Sequence, residues 1–118
     1  MSEHNGGCHC GKVKFTAKDP IISVACNCQR CRKLSGSLHL GVIFSEENFS
    51  VDGELSSYEY VGGSGNRVHS KFCGTCGSKI YSKAELFEGL VSVKLGVLDD
   101  ALDFPPQMEV FTNYKLNW

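Results

Sequence analysis

The stretch Cys26-Asn27-Cys28-Gln29-Arg30-Cys31, with Cys8-His9-Cys10 before it and Cys73-Gly74-Thr75-Cys76 after it, contains every cysteine of this 118-residue chain. C-x-C and C-x-x-C spacings turn the backbone so that two sulfurs point towards one ion, at about 2.3 Å for zinc. Four thiolates close a tetrahedral structural site, whereas three leave a coordination position open for chemistry. The seven cysteines therefore predict two zinc ions per chain, one structural and one functional.

Two divisions of the cysteines are compatible with this spacing. In the first, the first pair and the last pair share one ion, and the central three cysteines hold the other. In the second, Cys28 and Cys31 join Cys73 and Cys76 in a four-thiolate zinc ribbon. The second division leaves three cysteines over: Cys8, Cys10 and Cys26. Spacing alone does not choose between the two.

A disulfide framework is the main alternative to metal binding, because short secreted chains often use one to compensate for a small core. The cysteine count is odd, and the N-terminus Met1-Ser2-Glu3-His4-Asn5 has no apolar run that could serve as a signal peptide. Cysteines one or two residues apart cannot easily bridge each other. We therefore expect reduced, metal-binding cysteines in a cytoplasmic protein.

Composition limits the remaining classes of protein. A mass of 12.9 kDa suits a single domain over residues 1–118, small enough to gain from metal cross-links. The net charge of -1 and the pI near 6.4 do not favour strong binding to nucleic acid or to an anionic membrane. No stretch approaches the roughly 20 apolar residues of a transmembrane helix.

The apolar residues mostly alternate or form short runs, which predicts an all-β fold, a small antiparallel β-sheet domain stapled by zinc. One short helix is expected at Cys31–Gly36, ended by Gly36. Asp52-Gly53 indicates a hairpin, 61–66 a flexible strand connection, and 99–106 an exposed turn. The predicted strands are 12–17, 21–25, 38–44, 49–51, 55–61, 67–72, 78–82, 90–97 and 108–111.

Three segments together resemble one known family. They are Gly7-Cys8-His9-Cys10-Gly11-x-Val13-x-Phe15, Cys26-Asn27-Cys28-x-x-Cys31-Arg32-Lys33 and Phe72-Cys73-x-x-Cys76-Gly77-Ser78. With these intervals the chain is similar to the glutathione-dependent formaldehyde-activating enzyme family, which includes centromere protein V. The resemblance implies a β-tent fold. It also implies a structural zinc on Cys8, Cys10, Cys73 and Cys76, and a functional, catalytic zinc on Cys26, Cys28 and Cys31.

The reaction implied by this resemblance is carbon–sulfur bond formation, in which the glutathione thiol adds to formaldehyde and gives S-(hydroxymethyl)glutathione. Zinc with three thiolates carries a formal charge of -1, so it is less suited to generating hydroxide than zinc on histidines, but it can deprotonate an incoming thiol. The expected partner is thus a small thiol such as glutathione. The alternative is a non-catalytic zinc module that binds protein or chromatin.

Basic, histidine and aromatic side chains also carry predictions. Arg30, Arg32 and Lys33 flank the central cysteines and could hold the carboxylates of glutathione, although charged runs are usually solvated surface. Exposed or hydrogen-bonded roles are commoner than catalysis for His9, His39 and His69. The following aromatic residues are expected in the core: Phe44, Phe49, Tyr58, Tyr60, Phe72, Tyr81 and Phe111.

Overall fold

A computed structural model describes residues 2–118. One α-helix, α1, spans Gln29–Ser35. The strands are β1 (Glu3–Gly7), β2 (Lys14–Lys18), β3 (Ile22–Cys26), β4 (His39–Ser45), β5 (Phe49–Asp52), β6 (Leu55–Val61), β7 (Arg67–Cys73), β8 (Lys79–Ala84), β9 (Leu90–Lys94) and β10 (Met108–Val110). Short 3-10 turns occupy Glu46–Asn48, Glu85–Phe87, Leu95–Val97, Ala101–Asp103 and Thr112–Tyr114. The predicted all-β class is confirmed.

The strands form two sheets. The smaller sheet has the order β1-β2-β5, and the larger has the order β10-β3-β4-β9-β8-β7-β6. Neighbouring strands are antiparallel, apart from β10, which runs parallel to β3. The larger sheet therefore carries β3, which leads into the central cysteines, and β7, which ends at Cys73.

The core lies between the small sheet and one face of the large sheet. Strand β9 shows the pattern, because Val91 and Val93 are buried while Ser92 and Lys94 point to the opposite face. Phe44 on β4 is fully buried, which stabilises the fold by about 1.5–3 kcal/mol relative to an exposed side chain. The core residues are Cys8, Val13, Phe15, Ala17, Val42, Phe44, Cys73, Ile80, Val91, Val93, Leu98 and Phe104.

The other face of the large sheet is polar where the strands meet. Cys26 on β3 pairs with His39 on β4, and Gly41, two residues further along β4, pairs with Lys94 on β9. Paired residues share a face, and so do residues two apart along a strand. Cys26, His39 and Lys94 therefore lie on one face of the sheet, opposite the apolar core.

The Asp52-Gly53 hairpin prediction is wrong. A turn does occur there, with a positive φ of 116° at Gly53, but β5 pairs with β2 and β6 pairs with β7. The chain thus passes from the small sheet to the large one. Glycine is needed because a Cβ at position 53 would lie 2.4 Å from the Lys12 carbonyl oxygen.

Other boundaries also differ from the prediction. Strand β1 was not predicted, because its sequence Glu-His-Asn-Gly-Gly has low β propensity and forms a strand only by pairing with β2. The predicted strand 90–97 ends at Lys94, where a 3-10 turn begins. The helix begins at Gln29 rather than Cys31, and its last residue is Ser35; Gly36, with a φ of 81°, is the C-cap that terminates it, as predicted.

Segment 99–106 is only partly the exposed turn that the sequence predicts. Asp99 and Leu102 are exposed, but Phe104 is buried in the core. Asp100 accepts a hydrogen bond of 2.6 Å from His4 Nδ1, which joins this turn to β1. Periodicity could not reveal this contact, because its two residues lie 96 positions apart.

Candidate metal centres

The first cysteine group joins two turns, whose residues Cys10 and Cys73 lie 63 positions apart in the sequence. Cys8 and Cys10 lie on the turn after β1, while Cys73 ends β7 and Cys76 lies in the β7–β8 turn. The four Sγ atoms lie within 4.8 Å of one another. Cys10 Sγ is 3.6 Å from Cys8 Sγ and 3.7 Å from Cys73 Sγ. Tetrahedral zinc with bonds of about 2.3 Å requires sulfurs roughly 3.8 Å apart, so this donor set fits a four-thiolate zinc site.

Hydrogen-bond donors surround these sulfurs. The backbone N–H of Val13 donates to Cys8 Sγ at 3.2 Å. The Ser78 hydroxyl lies 3.2 Å from Cys76 Sγ, and its hydrogen bond lowers the pKa of that thiol to about 5. Ser78 Oγ also accepts from the His9 N–H at 3.1 Å, so it connects the two turns. These donors stabilise thiolates, the protonation state that metal binding requires.

The second group consists of Cys26, Cys28 and Cys31, whose Sγ atoms also lie within 4.8 Å of one another. Cys26 ends β3, Cys28 is the N-cap of α1, and Cys31 lies in its first turn. The Cys31 N–H donates to Cys28 Sγ at 3.3 Å. Within residues 2–118, no fourth cysteine, histidine or carboxylate joins this group.

The three sulfurs do not ionise independently. A hydrogen bond from the Cys31 thiol lowers the pKa of Cys26 to about 6, and the same bond, with burial, raises the pKa of Cys31. A proton therefore remains among the three sulfurs unless a cation replaces it. The donor set fits a metal ion, and soft thiolates are consistent with zinc.

The geometry favours the first of the two divisions considered above. Cys28 and Cys31 lie with Cys26, and the Cys73/Cys76 pair lies with Cys8 and Cys10. The zinc-ribbon alternative would require Cys28 and Cys31 to lie beside Cys73 and Cys76, which they do not. Each of the two groups could hold one metal ion.

Asn27, between two cysteines of the second group, anchors their loop to the C-terminal strand. Its side-chain amide donates to Glu109 Oε1 and to the Val110 carbonyl, both at 3.1 Å, and its backbone N–H donates to the same carbonyl. Asn27 is buried. The parallel strand β10 therefore holds the loop in place, a contact that spans 82 positions of sequence.

A lysine and a histidine lie on the same sheet face as the second group. Lys94 Nζ donates to His39 Nδ1 at 2.8 Å, which makes His39 a neutral acceptor at that nitrogen. Burial, together with the charge of Lys94, lowers the pKa of His39 to about 4. Burial also lowers the pKa of Lys94 to about 8, against the attraction of Cys31 and Cys26. The hydrogen-bonded role expected for His39 is confirmed, whereas Lys94 gave no signal in the sequence.

Tyr60 on β6 approaches the same cysteines from the far edge of the sheet. Burial, followed by the negative charges of Cys31, Cys28 and Cys26, raises the pKa of Tyr60 to about 12. Tyr60 is half-buried here rather than in the core.

The three basic residues of α1 differ in exposure. Arg30 and Lys33 are exposed and Arg32 is half-buried. A Cβ built on Gly63 would lie 3.5 Å from the Arg30 guanidinium, so this side chain reaches the β6–β7 loop. Among residues 2–118, no carboxylate lies within 4.0 Å of any of the three cations. Their positive charge is therefore not neutralised by a neighbouring acid.

His9 and His69 belong to neither cysteine group, and only some of the aromatic residues are in the core. His9 is exposed, and His69 lies between Glu59 and Glu85, at 3.3 and 3.5 Å.

Phe44 is buried in the core, and Phe49 and Tyr81 pack against it. The core prediction is wrong for Tyr58 and Phe111, which are 51% and 54% exposed, because they lie on or next to the edge strands β6 and β10. Tyr60 and Phe72 are half-buried and lie outside the core cluster.

Comparison with known proteins agrees with this picture. The family model described as glutathione-dependent formaldehyde-activating enzyme matches residues 3–114. A solved structure of a Rhodobacter sphaeroides protein, a Northeast Structural Genomics target, superposes with a TM-score of 0.69 at 20% identity. The match covers 89% of this chain and 98% of that one, and shows that the fold is shared. No helix within residues 2–118 has the length and apolar character needed to cross a membrane.

Proposed function

Because this chain belongs to the glutathione-dependent formaldehyde-activating enzyme family, we propose that it is a two-zinc carbon–sulfur lyase that joins a small thiol, glutathione or a similar one, to formaldehyde or a related aldehyde. The observation that carries the proposal is the three-cysteine group, which offers a metal three thiolates and, within residues 2–118, no fourth ligand. When bound there, zinc supplies a coordination position at which a thiol loses its proton near neutral pH.

The two cysteine groups would have different tasks. Cys8, Cys10, Cys73 and Cys76 would hold a structural zinc that fastens the turn after β1 to the end of β7. Cys26, Cys28 and Cys31 would hold the catalytic zinc. This division follows from the number of ligands, since four thiolates close a tetrahedral site and three leave it open.

The chain's own residues would position the thiol. Arg30, Arg32 and Lys33 have no carboxylate within 4.0 Å in the described part of the chain, and so remain available for carboxylates of glutathione. Asn27 and strand β10 keep the cysteine loop rigid. Fixing the thiolate beside the aldehyde converts an encounter in solution into a positioned addition, which supplies much of the rate. The whole chain, 1–118, would act as one domain, and a reducing cytoplasm would keep its cysteines out of disulfides and available for zinc.

The proposal predicts faster exchange between free and hydroxymethylated glutathione. In NMR exchange experiments on millimolar glutathione and formaldehyde, the zinc-loaded protein should increase the exchange rate above the rate without protein. The control is the Cys28→Ser variant at equal concentration. An unchanged rate with the wild-type protein would reject this reaction for glutathione and favour either another thiol or a non-catalytic zinc module that binds protein or chromatin.

A further inference from the structure

Lys94 is a half-buried cation that has no carboxylate partner in the described part of the chain. Its ammonium group donates to His39 Nδ1 at 2.8 Å, and within residues 2–118 no carboxylate lies within 4.0 Å of it. The residue is half-buried, on the sheet face opposite the core. Burying an ammonium without a negative partner is costly. A half-buried ammonium of this kind favours negative charge beside it, either on the cysteine thiolates or on a bound group that becomes negative during a reaction.

The geometry places this cation beside the three cysteines. His39, which holds Lys94, is the cross-strand partner of Cys26. Cys26, His39 and Lys94 lie on the sheet face opposite the core, so the Lys94 side chain and the Cys26 sulfur project to the same side of the sheet. Lys94 also lies on the rigid strand β9 rather than on a loop, which favours a fixed position for its charge.

The absence of a side chain at Gly41 leaves room for the His39 ring that contacts Lys94. Gly41 pairs with Lys94, and a Cβ at that position would lie 2.5 Å from Ser92 Oγ and 3.2 Å from His39 Nε2. A larger residue at position 41 would therefore push against the ring that orients Lys94. The hydrogen bond from Lys94 also leaves the His39 proton on Nε2, so the imidazole stays a neutral support rather than a second cation.

We propose that Lys94, oriented by His39, is a catalytic residue that donates a hydrogen bond to the aldehyde oxygen and stabilises the negative charge that develops on it. This inference rests on the proposed function. As the thiolate sulfur forms a bond with the carbonyl carbon, the π electrons move to the oxygen, which becomes an alkoxide beside Lys94. The alkoxide then takes one proton from solvent, equal to the proton that the thiol released on binding. His39 is a positioning residue in this step.

The charge of Lys94 is more useful at the aldehyde oxygen than as a counter-charge to the cysteines. The three thiolates with a divalent ion already carry only one net negative charge, which a bound thiolate raises to two. The charge that grows during the addition is on the aldehyde oxygen, and a fixed donor there stabilises the transition state more than the ground state. Lys94 shares a sheet face with Cys26, so its ammonium lies on the side of the sheet where the addition would take place.

The test compares Lys94→Gln and Lys94→Arg with Lys18→Gln, which removes an exposed lysine from β2 in the other sheet. Three quantities are measured: zinc content, glutathione affinity from the absorption of cobalt-substituted protein, and the exchange rate at saturating glutathione. Lys94→Gln should keep its metal and bind glutathione within about three-fold of wild type, yet lose about 100-fold or more in exchange rate. Lys94→Arg should recover part of that loss because it keeps the charge, and Lys18→Gln should match wild type.

Several outcomes would overturn the inference. A Lys94→Gln exchange rate within two-fold of wild type would remove Lys94 from the reaction while leaving the proposed function intact. A loss of metal or of glutathione affinity that accounts for the whole rate loss would make Lys94 a structural counter-charge. Full activity in Lys94→Gln and none in Lys94→Arg would show that shape, not charge, matters. If wild-type protein neither binds glutathione nor speeds exchange, the proposed function fails and this inference with it.

Discussion

Cys10→Ser is expected to unfold the protein or to lower its free energy of unfolding by several kcal/mol. Cys10 Sγ lies 3.7 Å from Cys73 Sγ although the two residues are 63 positions apart, so a metal joining them closes a long loop. A structural zinc site contributes its binding free energy directly to folding, about 10–16 kcal/mol in small zinc peptides. Loop-closure entropy adds to the loss when one ligand is removed. Urea denaturation followed by circular dichroism measures the change.

The matched control for this prediction is a cysteine of the other group, substituted in the same way. If Cys10→Ser keeps wild-type stability and two zinc ions per chain, the four-cysteine group is not the structural site. If Cys28→Ser unfolds the protein while Cys10→Ser does not, the structural and catalytic roles are reversed.

Cys28→Ser should keep the fold but reduce the zinc content from two ions per chain to one and abolish the acceleration of glutathione exchange. Cys28 is the N-cap of α1, where its sulfur accepts a hydrogen bond from the Cys31 N–H. Serine is a preferred N-cap residue, so the helix should survive the substitution. Two sulfurs and a hydroxyl, however, are a poor donor set for zinc at this position.

Elemental analysis of reduced protein measures the number of zinc ions per chain directly. Wild-type protein with one zinc ion or none would reject the two-site account, and iron with sulfide would reject the assignment of zinc. Cys28→Ser with two zinc ions and full exchange activity would show that Cys28 is not a ligand.

The seven cysteines carried most of the predictive power of the sequence. C-x-C and C-x-x-C are local patterns that favour metal binding in a reduced protein, and the strand pattern follows from alternation over five to seven residues. The division of the cysteines into two groups could not be read from spacing, because it depends on how β1 and β7 approach one another in space. Only the structure shows that Cys10 lies beside Cys73.

Lys94 and Ser78 could not be predicted for a related reason. Lys94 is the last residue of an alternating strand and looks like any solvated lysine at a strand end. It reaches the site because β9 lies beside β4, and β4 beside β3; this order in the sheet differs from the order of the strands in the sequence. Ser78 is close in sequence to the Cys73–Cys76 motif, but its contact with the His9 N–H joins two turns that are 69 positions apart. Long-range pairing of this kind leaves no periodic signal.

The absorption spectrum of cobalt-substituted protein on addition of glutathione tests the central claim most directly, because it reports whether the three-cysteine group holds a metal with an open position. We predict new sulfur-to-metal charge-transfer absorption that saturates at one glutathione per chain in wild-type protein and is absent in Cys28→Ser. A spectrum that stays unchanged up to millimolar glutathione, in protein with both metal sites filled, would contradict the account.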